Sequence, residues 1–221
     1  MGTHKLIMNM VKGLGKYTFE CGFIYLNSLL RGSILFGTEA MIDIKEDDFR
    51  KIEQLEEEQM RLLFKTEKNC SLHLLYLESG QIPARFMIKR KILDFYQYIL
   101  QEKEDSLLFR MLMAQIMKPV KNNFNQAANL ILQEFGIDLN GKDIKHMKTS
   151  IFKNIVKKKC KDTAYTYLIE KQKGGSKGAD IIYTCLEMAE YLLPQSNISL
   201  EDQREMFSIR CRMNHLGAKE E

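Results

Sequence analysis

Apolar residues along this chain recur every three to four positions, the spacing of helix faces, and no alternating run long enough for a strand interrupts them. Residues 19–37 are apolar on most sides and predict a helix at the centre of a core. Residues 46–64 are amphipathic. Phe49, Ile52, Leu55, Leu62 and Leu63 form one face, and Glu46–Arg50 and Glu57–Arg61 make i,i+4 pairs on another. A short helix is expected over 71–78, a long one over 83–101, and further helices over 106–117 and 124–135.

Punctuation agrees with that spacing. Gly80 can take the left-handed conformation that closes a helix, and Pro83 suits the first turn of the next because its missing N–H needs no partner there. Pro119 ends 106–117 and Gly136 closes 124–135. Asn140-Gly141 reads as a turn, followed by a lysine-rich helix over about 149–171 and a Gly-rich linker at 174–178. Ile181-Ile182-Tyr183 reads as a brief extended stretch, before a helix at about 184–192 halted by Pro194. Ser199 with Asp202 resembles a capping box and opens a last helix at 200–212. The fold class is all-α, an irregular multi-helix array in two lobes: a thumb-like bundle over 1–140 and a smaller basic lobe over 141–221.

Composition changes this picture little. With 45% hydrophobic and 28% charged residues the chain is ordinary for a folded protein. Its net charge of +4 is mild, but its distribution is uneven. Seven acids face Arg50 and Lys51 between Glu46 and Glu58, whereas eight lysines face Asp162 and Glu170 between Lys148 and Lys173. Five scattered cysteines without a C-x-x-C pair point to buried thiols in a reducing compartment. The stretch Cys21 to Phe36 is broken by Asn27, Ser28, Arg31, Gly32 and Ser33, which suits a buried helix with one paired arginine better than a membrane span. An intracellular setting, nuclear or cytoplasmic and without secretion or membrane insertion, is the expectation.

Candidate chemistry is thin. Glu46-Asp47-Asp48 opens an amphipathic helix, where acids complement the dipole rather than hold a metal. GGSKG lacks the spacing of a phosphate loop, and the histidines have no ligand partners at useful spacing. No catalytic residue, metal site or cofactor is expected. The cations remain. Lys153, Lys157 and Lys161 recur every fourth residue with Lys158 beside them, while Ile151, Phe152, Ile155 and Val156 lie largely opposite. Lys159 falls within the apolar stripe and must snorkel. Arg85, Lys89, Arg90 and Lys91 crowd one otherwise apolar helix, and Arg204, Arg210 and Arg212 form a third group. Each group suits either phosphate contact or an ordinary solvated surface. Tyr96 and Tyr98 suit core packing or base stacking, with core packing favoured.

The ordered series FIYLNSLLRGSILFGTEAM (23–41), DFRKIEQLEEEQMRLLFKT (48–66), LYLESGQIPARFMIKRKILDFYQYIL (75–100), DSLLFRMLMAQIMKPVKNNF (105–124), EYLLP (190–194) and ISLEDQREMFSIRCRMN (198–214) resembles the region downstream of the palm in non-LTR (LINE-type) retrotransposon reverse transcriptases. That region corresponds to the thumb and connector, which in such enzymes grip the template–primer duplex. The palm's aromatic-x-Asp-Asp motif is missing. The resemblance therefore implies a non-catalytic fragment of an RNA-directed DNA polymerase, with weak, sequence-tolerant binding of RNA, DNA or their hybrid through phosphates. The alternatives are a helical protein-interaction module, prone to self-association through apolar area a palm would cover, and a decayed retroelement product.

Overall fold

A computed structural model of the chain describes residues 22–24, 26–41, 43–64, 66, 71–118, 121–174, 186–189, 192–193, 198–199 and 201–207. The described residues are helical, with no strand among them. A π-helical turn at Leu26–Leu30 runs into α1 (Arg31–Ile34), and a 3₁₀ turn follows at Thr38–Ala40. Then come α2 (Glu46–Phe64), α3 (Leu72–Ser79), α4 (Ala84–Gln101), α5 (Leu107–Met117), α6 (Phe124–Glu134), α7 (Gly141–His146) and α8 (Thr149–Gly174). Residues 201–207 are helical as well.

Local chemistry sets most boundaries. Gly80 (φ 65°) and Gly136 (φ 60°) close α3 and α6 in the left-handed region. Ser106 Oγ accepts from Phe109 N–H at 3.2 Å to open α5, and Asn123 Oδ1 accepts from Gln126 N–H at 2.7 Å to open α6. Ser199 Oγ accepts from Asp202 N–H at 3.1 Å, as the sequence suggests. Asn140-Gly141 is not a free turn. Asn140 and Asp143 form a reciprocal capping box that starts α7, which the short apolar content of that segment conceals.

The chain divides into two compact units, both discontinuous in sequence. One draws on residues up to Ile34, Arg50–Pro83 and residues from Ala164 onward; the other comprises Leu35–Phe49 and Ala84–Thr163. Residues 140 and 141, where the sequence reading set its lobe boundary, both lie inside the latter.

The first unit is organised around a buried ionic network. Arg31, 4% exposed, donates Nε–H to Glu56 Oε1 at 2.6 Å, and the Tyr76 hydroxyl donates to Glu56 Oε2 at 2.6 Å. The remaining guanidinium N–H groups reach Asn27 Oδ1 (2.9 Å), Gln81 Oε1 (3.1 Å) and the Ile82 carbonyl (2.7 Å). A buried charge is tolerable only when neutralised and fully hydrogen-bonded, and this set does both. It also reorients α2. The buried side is Glu53, Glu56, Gln59, Met60, Leu63 and Phe64, whereas Leu55 is exposed and Phe49, Ile52 and Leu62 are half-exposed. The pair Glu57–Arg61 forms as expected, with Nε to Oε1 at 2.8 Å. Nor is 19–37 buried throughout: Phe23, Leu26, Leu30 and Leu35 are in the core, but Ile24 and Phe36 are open to solvent. Residues 186–189, expected to be helical, instead lie along the end of α3, where Met188 bridges Ser79 and Ala189 N–H donates to the Glu78 carbonyl at 2.9 Å.

The second unit is built round α4, which packs on the Thr38–Ala40 turn, α5, α6 and α7. Gln97 and Gln101 donate to the Met147 carbonyl (3.2 and 2.7 Å), pinning the α7–α8 junction. Tyr96 is buried, as expected of a core residue; Tyr98 is not, remaining exposed with its ring parallel to Phe95.

Candidate nucleic-acid interface

The four cations of α4 all have partners within the second unit. Arg85, 8% exposed, is bidentate to Glu46 (3.0 and 3.3 Å), with its guanidinium 5.5 Å from the Phe49 ring centre. Lys89 Nζ binds both Glu134 oxygens at 2.6 and 2.7 Å. Arg90 lies 3.8 Å from Asp94, whose carboxyl is pushed up by burial and drawn back by Arg90 and Lys153. Lys91 donates to the Leu35 carbonyl at 2.7 Å and sits 3.8 Å from Glu39. Cations committed this way are poorly placed to exchange their partners for phosphate, since the carboxylates would be left behind. Only the Arg90–Asp94 spacing is visible in sequence; the other acids lie 39 to 52 residues away along the chain.

The α8 group is different. Phe152, Val156 and Cys160 are fully buried and fix how the first half of α8 is set. At about 100° per residue, Lys153, Lys157, Lys161 and Lys158 then span an arc of about 140° pointing away from Phe152. Lys153, Lys157 and Lys158 are exposed and Lys161 half-exposed. Ile151, expected opposite the lysines, is exposed, and Ile155 is half-buried. Lys159 does snorkel. Its Nζ lies 3.9 Å from where a Cβ on Gly136 would stand, beside the C-terminal end of α6, where the helix dipole favours a cation. Cys160 donates Sγ–H to the Phe86 carbonyl at 3.4 Å, and burial pushes its thiol up to about 12. It is the only cysteine among the described residues, and it is buried as the sequence suggests.

Arg204 belongs to the first unit and donates Nε–H to the Leu63 carbonyl at 3.3 Å, half-buried, with its guanidinium pKa lowered by burial. Arg210 and Arg212 lie outside the described residues. The candidate groups are thus not gathered together: of the predicted cations among the described residues, the exposed ones are Lys153, Lys157 and Lys158 of α8.

No family model matches the chain, and neither does any curated protein or solved structure. Among the described residues no group of three or more His, Cys, Asp or Glu side chains could hold a metal ion, and no helix is long and apolar enough to cross a membrane.

The second unit also holds a groove that no sequence motif marks. Between α4, α5, α6 and α7 lies an open groove of about 870 Å³. Its apolar lining includes Tyr96, Phe109, Met113 and Ile116, and its polar lining includes Asn125, Asn129, Asn140, Lys142 and Lys145. These residues are scattered over some fifty positions, so no local motif announces them.

Proposed function

We propose that this chain holds nucleic-acid backbone along one side of α8 and carries out no polymerase chemistry, as the thumb-and-connector part of a non-LTR reverse transcriptase would. The observation that carries the reading is the exposure of Lys153, Lys157 and Lys158 on one arc of a helix whose other side is locked by Phe152 and Val156. A rigid row of ammonium groups can follow a phosphate chain without reading bases, each contact releasing a counterion. The α4 cations are assigned structural duty instead. The test is fluorescence anisotropy with an RNA–DNA hybrid between low and moderate salt. Replacing Lys153, Lys157 and Lys158 together by Gln should make the slope of log K against log[salt] shallower by about 2 to 3. An unchanged slope, with helical circular dichroism intact, would overturn the reading.

A second reading, a protein-interaction module, is favoured by α5. Leu107 (71% exposed), Met111 (53%) and Met117 (81%) stand in solvent on one short helix. If this surface drives self-association, sedimentation should show a concentration-dependent larger species that Leu107→Lys with Met117→Lys removes.

A further inference from the structure

The groove of the second unit has the size of a small-ligand site, which typically falls between about 300 and 1,000 Å³. Its polar groups retain unused hydrogen-bonding capacity. Asn125 Oδ1 accepts from the Tyr96 hydroxyl (3.0 Å) and from Asn129 Nδ2 (3.3 Å), leaving the Asn125 NH₂ and the Asn129 carbonyl oxygen for a guest. Asn140 Oδ1 caps α7, leaving its NH₂. Charge is equally specific. Lys145 is neutralised by Glu104 at 3.3 Å and stands 4.8 Å from the centre of the Phe109 ring, so Lys142, exposed and without an ion pair, supplies the net positive charge.

An apolar, partly aromatic floor, amide donors and an acceptor at its edges, and one cation match a planar heterocycle bearing an anionic group. We infer that this groove binds a nucleotide, with the base against Phe109 and Met113, its edge on the asparagines and its phosphate at Lys142. A docked protein helix fits less well. Leu107, Leu108 and Met111 occupy the side of α5 turned away from Phe109, Met113 and Ile116, and although Ile116 and Met117 are open on the groove side, an apolar helix face would leave the asparagine amides and Lys142 at its edges without partners. The ligand is either a free mononucleotide or an unpaired nucleotide of a single strand, and the inference does not rest on the lysine row of α8.

The experiment is ¹H–¹⁵N chemical-shift titration of the full chain with adenosine, AMP, ribose 5-phosphate and an acidic apolar peptide. AMP should bind more tightly than adenosine or ribose 5-phosphate, with shifts centred on Asn129 and Lys142. Lys142→Gln should weaken AMP about three- to fivefold and leave adenosine unchanged, the scale of one exposed ion pair. Asn129→Leu, at an exposed position, should weaken both about fivefold, one hydrogen bond's worth. The Lys153, Lys157 and Lys158 triple Gln variant should bind AMP as the parent does, which separates failure of this site from failure of the backbone-binding row. In that variant, tighter binding of a single-stranded hexanucleotide than of AMP identifies a strand as the source, and equal binding a free nucleotide. Ribose 5-phosphate matching AMP, insensitivity to Asn129→Leu, or groove shifts with the peptide but not with AMP would each overturn the inference.

Discussion

Replacing Glu56 by Ala would test the central claim about the first unit. Glu56 is fully buried and its two oxygens hold Arg31 and Tyr76, each at 2.6 Å. Removing the carboxylate leaves Arg31, 4% exposed, as a charge without its counter-ion. Such a break costs about 3–5 kcal/mol, and the unpaired Tyr76 hydroxyl adds about 1–3 kcal/mol. Against a total stability of about 5–15 kcal/mol that is a large fraction. Removing all three polar groups together (Arg31→Met, Glu56→Leu, Tyr76→Phe) should be far less damaging than Glu56→Ala, because no charge is then stranded and the acceptors that lose Arg31, on Asn27, Gln81 and Ile82, belong to residues that are not fully buried. Urea denaturation followed by circular dichroism measures both, provided the slope of stability against denaturant is unchanged. A loss below about 1 kcal/mol for Glu56→Ala, or a triple variant at least as unstable as the single one, would refute the argument.

Gly80→Ala should cost about 3 kcal/mol or more, because φ is 65° and an added Cβ would meet the Met188 amide nitrogen and come within 2.5 Å of the Glu187 carbonyl carbon. Gly136→Ala, with φ 60° but no neighbour closer to the new Cβ than Lys159 Nζ at 3.9 Å, should cost only about 1–2 kcal/mol, so equal losses in thermal melts would contradict the close approach at Gly80. Cys160 gives a pH dependence. Because the folded thiol's pKa is raised from 9.0 to about 12, the folded state keeps a proton that the unfolded chain releases, and stability present below about pH 9 falls as pH rises toward 12. The slope is about 1.4 kcal/mol per pH unit. Cys160→Ala should flatten the decline relative to the parent in urea titrations between pH 8.5 and 11; parallel curves would show that the thiol is not so buried.

What the sequence revealed was what local physics decides. Helix spans such as 46–64 follow from spacing, and stops such as Gly80 and Gly136 from backbone conformation. The burial of α2 was not legible, because Glu56 faces inward to meet an arginine 25 positions away and apolar counting ranks it as surface. The fate of the α4 cations was hidden for the same reason: Glu46 and Glu134 are neighbours only after folding. In α8 the buried positions Phe152, Val156, Cys160, Ala164 and Leu168 recur every fourth residue. That spacing drifts about 40° per step round the axis and blurs the amphipathic signal, although the lysine arc survives it. The groove was out of reach altogether, since it exists only where four helices meet.

The stacking of Phe207 on Phe64, with ring centres 4.1 Å apart, carries a consequence for biosynthesis. The neighbouring contact from Arg204 to the Leu63 carbonyl joins residues 141 positions apart, so α2's last turn waits for its cover until residues 204–207 have been made. The residues of the second unit end at Thr163 and have all been made by then. During that interval Phe64 has Phe23 beside it but not the stacked ring of Phe207, and a nascent chain stalled there is the form most in need of a chaperone.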